Sequence, residues 1–514
     1  MSTMPKHGGD LEGAPLAGNG PRPWALAVVV ALLVLVVGSA FAVLVPAGAG
    51  LDEPMHVARV EQLAEGRLLP QEVGPDGLDM SIVAPASDKY QAYGGQTDRA
   101  LYELVVQGNL TYYGGGAPFA FPSWEDERLS VDAQMGEGTV TWIFPNTAIN
   151  SPLSYAPHVL GYWLGRLVTT SPVVVVILMR LAGVVTLAAA TLVCMRLLPG
   201  GSRVLALVVL LPQSISTNAM VTADLMTFVT SLVYVSCLVR MLWLDAAGRL
   251  EWALLWVSLF GLCLCKMTYA PFGLLLLVLP IASATWRSRA SLVRIGVVGV
   301  SSLVAFAAWY LVVKDVNTGL MWSPAIVPEE QARYVAEHPL AFLNLLVRGL
   351  LGTDVLALGP ATPLSSLASA SWVVALPLMA ALVCDAVRAA RWGAAVRRLR
   401  VLALALVPVL AIIVTLIYLA LYLQFNAPGA GTISGVQVRY FLPLLFPLLL
   451  SVLVVCLSCC GVGRRGAGRD AALAESPQAA VLAEAVPPAS DMLVGALLVL
   501  LSLLMLASLV WTVF

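Results

Sequence analysis

The 514-residue chain has the composition of a membrane protein. Hydrophobic residues make up 59% of it and charged residues 11%, with a mean hydropathy of +0.87, whereas soluble chains have roughly 45–50% apolar and about 25% charged residues. The formal net charge of −1 excludes a strongly basic nucleic-acid-binding protein. The composition also excludes a disordered chain, a collagen-like fibre and a disulfide scaffold.

Apolar runs recur from end to end and predict an all-α polytopic membrane protein with about 11 transmembrane helices, because about 20 apolar residues cross a bilayer core of about 30 Å. The first run is longer than a signal-peptide core of roughly 7–15 residues, so we expect it to be retained as a span. The predicted spans lie near 24–45, 174–197, 203–219, 221–243, 252–269, 271–285, 293–313, 364–387, 402–424, 440–460 and 493–513.

The distribution of Lys and Arg predicts the orientation of these spans. The N-terminal tail and alternate short loops hold 17 of the 29, which places the N-terminus in the cytoplasm and the first loop outside. The predicted organisation is a cytoplasmic tail (1–23), a first transmembrane helix (24–45), a large acidic external loop with juxtamembrane helices (46–171), a transmembrane core of about nine helices with a second external loop near 314–360 (172–460), a cytoplasmic linker (461–492) and a last transmembrane helix (493–514).

The motif Asp52-Glu53-Pro54-x-His56 follows the first span directly. In a structural interpretation, Asp52 caps a helix, Pro54 occupies its first turn and Glu53 complements its dipole. In a functional interpretation, two adjacent carboxylates and a histidine stand at the outer membrane face, with Glu53 and His56 on one helical face. Spacing alone leaves both interpretations open.

Several charges lie at the external ends of predicted spans, where they are costly. Asp224 precedes one apolar run, and Arg180, Lys266 and Arg439 depart from the positive-inside trend. A lipid-linked phosphate at the outer leaflet would explain the three cations, since Arg and Lys are natural phosphate donors. Snorkelling to lipid headgroups is the alternative.

The segment from Pro152 to Tyr155 leads into a short aromatic stretch that is typical of a helix lying in the membrane interface. The sequence has no Walker-type loop, no dinucleotide glycine fingerprint and no His-Glu-x-x-His helix. The loops assigned to the cytoplasm are too short for a nucleotide-binding domain. Energy for any reaction is therefore expected from a substrate already activated in the membrane, or from an ion gradient.

These features together resemble the GT-C superfamily of polytopic glycosyltransferases. The features are an acidic first loop that opens with Asp52-Glu53, the Pro-Leu-x-Tyr segment at Pro152, and Asp224 after the third span. Over roughly residues 25–460 the chain more closely resembles a domain-of-unknown-function family of bacterial membrane proteins, which shares the Asp52 motif, the Pro152 segment, Lys266 and the motif Gln437-Val438-Arg439-Tyr440. The resemblance implies a GT-C-like fold in the bacterial inner (plasma) membrane.

The resemblance also implies a function, namely inverting transfer of a sugar from a polyprenyl-phosphate donor to a cell-envelope glycan or lipid acceptor on the external face. Asp52 would act as the general base, Glu53 would orient the acceptor or a cation, and Lys266 and Arg439 would stabilise the departing lipid phosphate. The remaining substrate-binding candidates are His56, Tyr155, Arg180, Asp224 and Gln437.

The need for a metal is left open by the sequence. A divalent cation, where one is used, is expected at Asp52, Glu53 and Asp224. The expected partners are the bilayer, the lipid-linked donor and the envelope acceptor, and no nucleic acid. Two alternatives remain, a transporter or flippase for a lipid-linked glycan and a non-catalytic membrane scaffold.

Overall fold

The structure is a computed structural model that describes residues 24–73, 92–114, 133–316, 325–353 and 395–459, with single residues of two further helical stretches between 377 and 385 and between 496 and 507. The predicted tail (1–23) and linker (461–492) lie outside the described residues. Most of the predicted spans 364–387 and 493–513 do so too.

The described chain is mainly helical. Its continuous α-helices are α1 (Trp24–Leu44), α2 (Glu53–Ala64), α3 (Arg99–Gly114), α4 (Pro145–Ala148), α5 (Ala156–Val168), α6 (Pro172–Leu197), α7 (Ser202–Val209), α8 (Pro212–Asn218), α9 (Asp224–Leu244), α10 (Arg249–Cys265), α11 (Val278–Ala282), α12 (Arg289–Val313), α13 (Pro328–Glu337), α14 (Pro339–Gly352), α15 (Ala395–Phe425) and α16 (Leu442–Cys459). Short 3₁₀ segments cover Pro152–Tyr155, Met267–Leu277, Ala284–Arg287 and Val438–Tyr440.

Five of these helices, α1, α6, α9, α12 and α15, are long and apolar enough to cross a membrane. Shorter apolar helices accompany them, including α14 and α16. The five coincide with predicted spans, so the chain is a polytopic membrane protein. The total of about 11 spans and their orientation stay predictions.

Two predicted spans are broken helices. The run at 203–219 divides into α7 and α8 at Pro212, which lacks the N–H that a continuous helix needs, and every residue of both helices is buried. The run at 271–285 begins instead as a 3₁₀ segment that contains Pro271 and continues as α11. Irregular backbone at membrane depth is tolerated where protein surrounds it.

The segment at 46–171 contains a three-stranded antiparallel sheet, so the all-α prediction was wrong there. The strands β1 (Gln71–Val73), β2 (Ala92–Asp98) and β3 (Thr139–Ile143) are adjacent in that order. Trp142 anchors the sheet because its buried ring packs against Tyr102 and Phe144 and its Nε1 donates to Thr97 Oγ1 at 2.9 Å.

The turn between α1 and α2 lies directly on the backbone of α3. A Cβ on Gly48 would lie 1.9 Å from the Val105 carbonyl oxygen, and one on Gly108 would lie 1.8 Å from that of Ala47. Gly48 also has a φ of +85°, a conformation that glycine adopts at little cost. This close contact fixes the position of the loop that carries Asp52.

Candidate functional site

A cavity of about 540 Å³ lies where several helix ends meet the sheet-containing segment. The loop after α1, the start of α9, the end of α10 and the segment before α16 contribute four of its charged side chains, which are Asp52, Asp224, Lys266 and Arg439. The apolar wall comes from the ends of α12 and α15, with Trp309, Tyr310, Val313, Ile417, Leu421 and Phe425. The cavity is therefore amphiphilic.

The four charged side chains form one connected cluster. Arg439 pairs with Asp52 through Nη2, and its Nε lies 3.2 Å from Asp224 Oδ2. Lys266 Nζ lies 2.5 Å from Asp224 Oδ1 and 4.2 Å from the centre of the Tyr440 ring. The two carboxylates and two cations sum to zero formal charge. Their mutual attraction offsets the cost of removing each charge from water, which no single member could offset alone.

The members of this cluster differ in exposure. The Asp52 and Lys266 side chains are 35% and 26% exposed, against 9% for Asp224 and 4% for Arg439. Burial lowers the pKa of Arg439, but the neighbouring Tyr440 and the carboxylates of Asp224 and Asp52 outweigh that effect and raise the pKa above its usual value. Within the cluster, Asp52 and Lys266 are therefore the two charged groups most available to a ligand, and Arg439 lies between Asp52 and the Asp224 partner of Lys266.

Asp52 occupies the left-handed backbone region, with φ 57° and ψ 15°. Only one other non-glycine residue among those described, Asp245, has a positive φ. Asp and Asn tolerate this region better than most residues, and such conformations concentrate at functional sites. The conformation turns the chain from α1 into α2 and leaves the Asp52 carboxylate at the cavity.

His56 lines the same cavity from the first turns of α2. Its Nδ1 lies 2.7 Å from the Tyr155 hydroxyl, which accepts a 3.2 Å hydrogen bond from Asn150 Nδ2. Burial and, to a smaller extent, the Arg439 charge together lower the pKa of His56 to about 4, against the opposing effects of Asp52 and Asp224. His56 is thus a neutral imidazole at neutral pH.

Glu53 and Arg180 lie together but away from the cavity lining. Their side chains are 0% and 1% exposed, and Arg180 Nη2 donates to Glu53 Oε2 at 2.6 Å. Glu53 also accepts hydrogen bonds from the backbone N–H groups of Gly48, Gly50 and Val221. The pair therefore holds the Asp52 loop in place, and it leaves no carboxylate oxygen of Glu53 directed at a substrate.

Arg180 extends this anchor to the end of α1. Its guanidinium donates to the carbonyl oxygens of Ala42, Val45 and Pro46 at 2.6–3.1 Å. The sequence predicted substrate contact for Arg180 because the residue lies near the outer end of a span. The structure places its charge against α1 and Glu53 instead.

The three carboxylates that were predicted as cation ligands are paired with arginine and lysine side chains. Among the described residues, no group of three or more His, Cys, Asp or Glu side chains is placed to hold a metal ion. Glu53 is saturated by Arg180 and backbone N–H groups, and the Arg439 guanidinium lies between Asp52 and Asp224. A cation between these two carboxylates would have to displace Arg439.

The structure thus brings together six sequence-predicted residues at one cavity, namely Asp52, His56, Asp224, Lys266, Gln437 and Arg439. Tyr155 supports His56 from behind. Sequence reasoning did not assign Asn146, Thr268 and Lys314, which also line the cavity. Single uncharged polar residues such as Asn146 and Thr268 carry no local signal of this kind, and Lys314 could have been noticed as one of only four lysines.

Fold and site together define a polytopic membrane protein with an amphiphilic cavity at one end of its helical bundle. A family model described as "Predicted membrane protein (DUF2142)" matches residues 35–449, and the chain belongs to this family. No curated protein and no solved structure matches the chain. The match confirms the predicted membrane-protein family, and the likeness to the GT-C superfamily stays a prediction.

Proposed function

We propose that the protein is a membrane glycosyltransferase that moves a sugar from a polyprenyl-phosphate donor to an envelope glycan or lipid acceptor on the external face. The single observation that carries this proposal is the cavity in which Asp52, Asp224, Lys266 and Arg439 face an apolar wall. A polyprenyl-phosphate sugar is likewise divided into an apolar and a charged part, because it joins an apolar chain to an anionic phosphate and a polar sugar.

The apolar wall suits the chain of the donor. The Trp309 and Tyr310 rings lie near the end of α12 and Phe425 near the end of α15. Aromatic rings at helix ends are typical of the membrane interface. The phosphate would then lie at Lys266 and Arg439, which are the donors suited to it.

Asp52 is the general base in the proposed reaction. The acceptor hydroxyl oxygen attacks the anomeric carbon and forms the new glycosidic bond, while the bond from the anomeric carbon to the phosphate oxygen breaks. The hydroxyl proton passes to Asp52, and the electron pair of the broken bond stays on the polyprenyl phosphate. Positioned cations favour this step because the phosphate gains negative charge.

The ion cluster couples these two changes. Asp52 neutralises part of the Arg439 charge before reaction, so protonation of Asp52 releases positive charge at Arg439. The release coincides with the new negative charge on the leaving phosphate. The positive charge of Arg439 and the negative charge of the phosphate attract each other more strongly in a buried site than in water. Proton transfer to Asp52 and departure of the phosphate therefore favour each other.

The test is a transfer assay on purified protein in nanodiscs with synthetic polyprenyl-phosphate sugars. We expect Asp52→Asn to lower the transfer rate by about 10²–10⁴-fold, the usual contribution of a general base, with no loss of folding. Asp245→Asn is the matched control, since Asp245 shares the residue type and the left-handed backbone (φ 53°) and lies 3.8 Å from Arg398.

The outcomes separate the alternatives. Transfer by the wild-type protein together with full transfer by Asp52→Asn would overturn the assignment of the base. Absence of transfer with every donor, combined with movement of the lipid-linked glycan across the bilayer, would favour a flippase. Absence of both, with no donor binding, would favour a scaffold.

A further inference from the structure

Four residues that line the cavity each carry a buried, uncharged polar side-chain atom that has no hydrogen-bond partner among the described residues. The atoms are His56 Nε2, Asn146 Oδ1, Thr268 Oγ1 and Gln437 Oε1. They come from α2, α4, the 3₁₀ segment after α10 and the loop before α16. Buried polar groups are nearly always paired in proteins, so four such atoms around one cavity point to a polar ligand.

The hydrogen bonds behind His56 determine what it offers. Asn150 Nδ2 donates to the Tyr155 hydroxyl, so the single hydroxyl hydrogen of Tyr155 is free to be donated to His56 Nδ1. A neutral imidazole that accepts at Nδ1 carries its hydrogen at Nε2. His56, which is 5% exposed, therefore presents a neutral N–H donor to the cavity.

The other three atoms complement this donor. The amide oxygens of Asn146 and Gln437 are acceptors, and the Thr268 hydroxyl can donate or accept. Together, the four residues offer one donor, two acceptors and one hydroxyl. A ligand that matches them must both donate and accept hydrogen bonds at several neighbouring positions. Adjacent hydroxyl groups on a sugar ring have this property, whereas a prenyl chain and a phosphate do not.

The charges around the cavity restrict the sugar further. Both interior carboxylates, Asp52 and Asp224, are paired with the interior cations, so an amino sugar would bring a cation next to Lys266 and Arg439 without a free carboxylate. A uronic sugar would need a further cation. The further cation that lines the cavity, Lys314, is 48% exposed and already lies 3.9 Å from Asp315, so a uronic carboxylate would have to compete with Asp315 for it.

We propose that His56, Asn146, Thr268 and Gln437 form a subsite for an uncharged polyhydroxy group, an unmodified pentose or hexose, and that the site discriminates against amino and uronic sugars. The proposal rests on the proposed function, because it places the sugar beside a phosphate held by Lys266 and Arg439. The subsite specifies the class of sugar, which the cluster of Asp52, Asp224, Lys266 and Arg439 alone does not specify.

The test compares the affinity of the full-length protein in nanodiscs for four probes, namely bare polyprenyl phosphate and its conjugates with a neutral hexose, an amino hexose and a uronic acid. We expect the neutral conjugate to bind most tightly. Asn146→Ala and Gln437→Ala should each weaken its binding by roughly tenfold, about one hydrogen bond, and should leave the affinity for bare polyprenyl phosphate unchanged.

Gln96→Ala is the control, because Gln96 is an exposed amide on β2 outside the cavity lining. Equal weakening of the bare lipid phosphate by the cavity variants, or tighter binding of the amino or uronic conjugate, would overturn the subsite. Selective binding of the neutral conjugate without transfer to any acceptor would overturn only the transferase. Transfer without discrimination among the sugars would overturn only the subsite.

Discussion

At the scale of single residues, Asp52 and Glu53 are neighbours with different surroundings. Asp52 reaches the cavity at 35% exposure, whereas Glu53 is fully buried against Arg180. Burial raises the pKa of Glu53, but the Arg180 charge and the hydrogen bonds from Arg180, Val221 and Gly50 outweigh it and lower the pKa. Glu53 thus favours its ionised form and anchors the loop, whereas Asp52 lies at the cavity.

Removal of Arg180 is expected to destabilise the protein strongly. Arg180→Met leaves the Glu53 carboxylate buried without its counter-charge, and breaking a buried pair in this way costs about 3–5 kcal/mol. The measurement is thermal unfolding in detergent. Arg67→Met is the control, because Arg67 pairs with Glu65 at the surface and exposed pairs contribute about 0–1 kcal/mol. Equal stability of the two variants would contradict the anchoring role.

Glu61 is expected to make stability depend on pH. Burial raises its pKa from 4.5 to about 7, although its hydrogen bond to the Asp98 backbone N–H lowers it in part. Between these values the folded state keeps a proton that the unfolded state releases, so stability falls as pH rises from about 4.5 to about 7.

Glu61→Gln tests this dependence, because the amide keeps the size of the side chain and cannot ionise. We expect the variant to lack the loss of stability above pH 4.5 and to gain up to about 3 kcal/mol relative to wild type by pH 8. The melting temperatures of both proteins from pH 4.5 to 8 provide the measurement. Parallel pH profiles would exclude Glu61 as the source.

At the scale of elements, the turn between α1 and α2 depends on close backbone contact. Gly48→Ala would place a Cβ 1.9 Å from the Val105 carbonyl at a φ of +85°, so we expect a loss of roughly 3 kcal/mol or more and loss of transfer. Gly66→Ala is matched in φ, at +84°, and has open space around its Cβ. It should cost only about 1–2 kcal/mol. Equal effects on unfolding temperature and on transfer would refute the packing argument.

The sequence predicted those residues of the site whose charge is energetically unfavourable beside an apolar run. Asp224, Lys266 and Arg439 stand out because a charge beside an apolar run needs a reason. The partnership of Glu53 with Arg180 joins positions 127 residues apart, and one sequence gives no sign of it. The sheet was missed because β2 contains Gly94 and Gly95, residues that disfavour strands, and its register depends on contact with β3.

At the scale of the whole molecule, the ends of α1, α10, α12 and α15 and the starts of α9 and α16 lie on the side of the cavity. The positive-inside bias predicts that this side is external. A cavity on this side would open where a polyprenyl-linked sugar is presented and where no nucleotide is needed.

The orientation is testable by labelling introduced cysteines in intact cells with a membrane-impermeant maleimide. Gln96→Cys lies on the exposed face of β2 and Ala290→Cys at the exposed start of α12, near the opposite end of the bundle. We expect Gln96→Cys to be labelled directly and Ala290→Cys only after permeabilisation. The parent protein reports the background from its own cysteines. The reverse pattern would place the cavity in the cytoplasm and exclude an external acceptor.

The most direct measurement of what the cavity holds is a structure of the wild-type protein in nanodiscs with bound polyprenyl phosphate. We expect the phosphate oxygens at about 2.7–3.2 Å from Lys266 Nζ and the Arg439 guanidinium, with the prenyl chain along Trp309 and Phe425. A phosphate bound elsewhere on the protein, with Lys266 and Arg439 still paired only to Asp224 and Asp52, would contradict the proposed lipid-phosphate site.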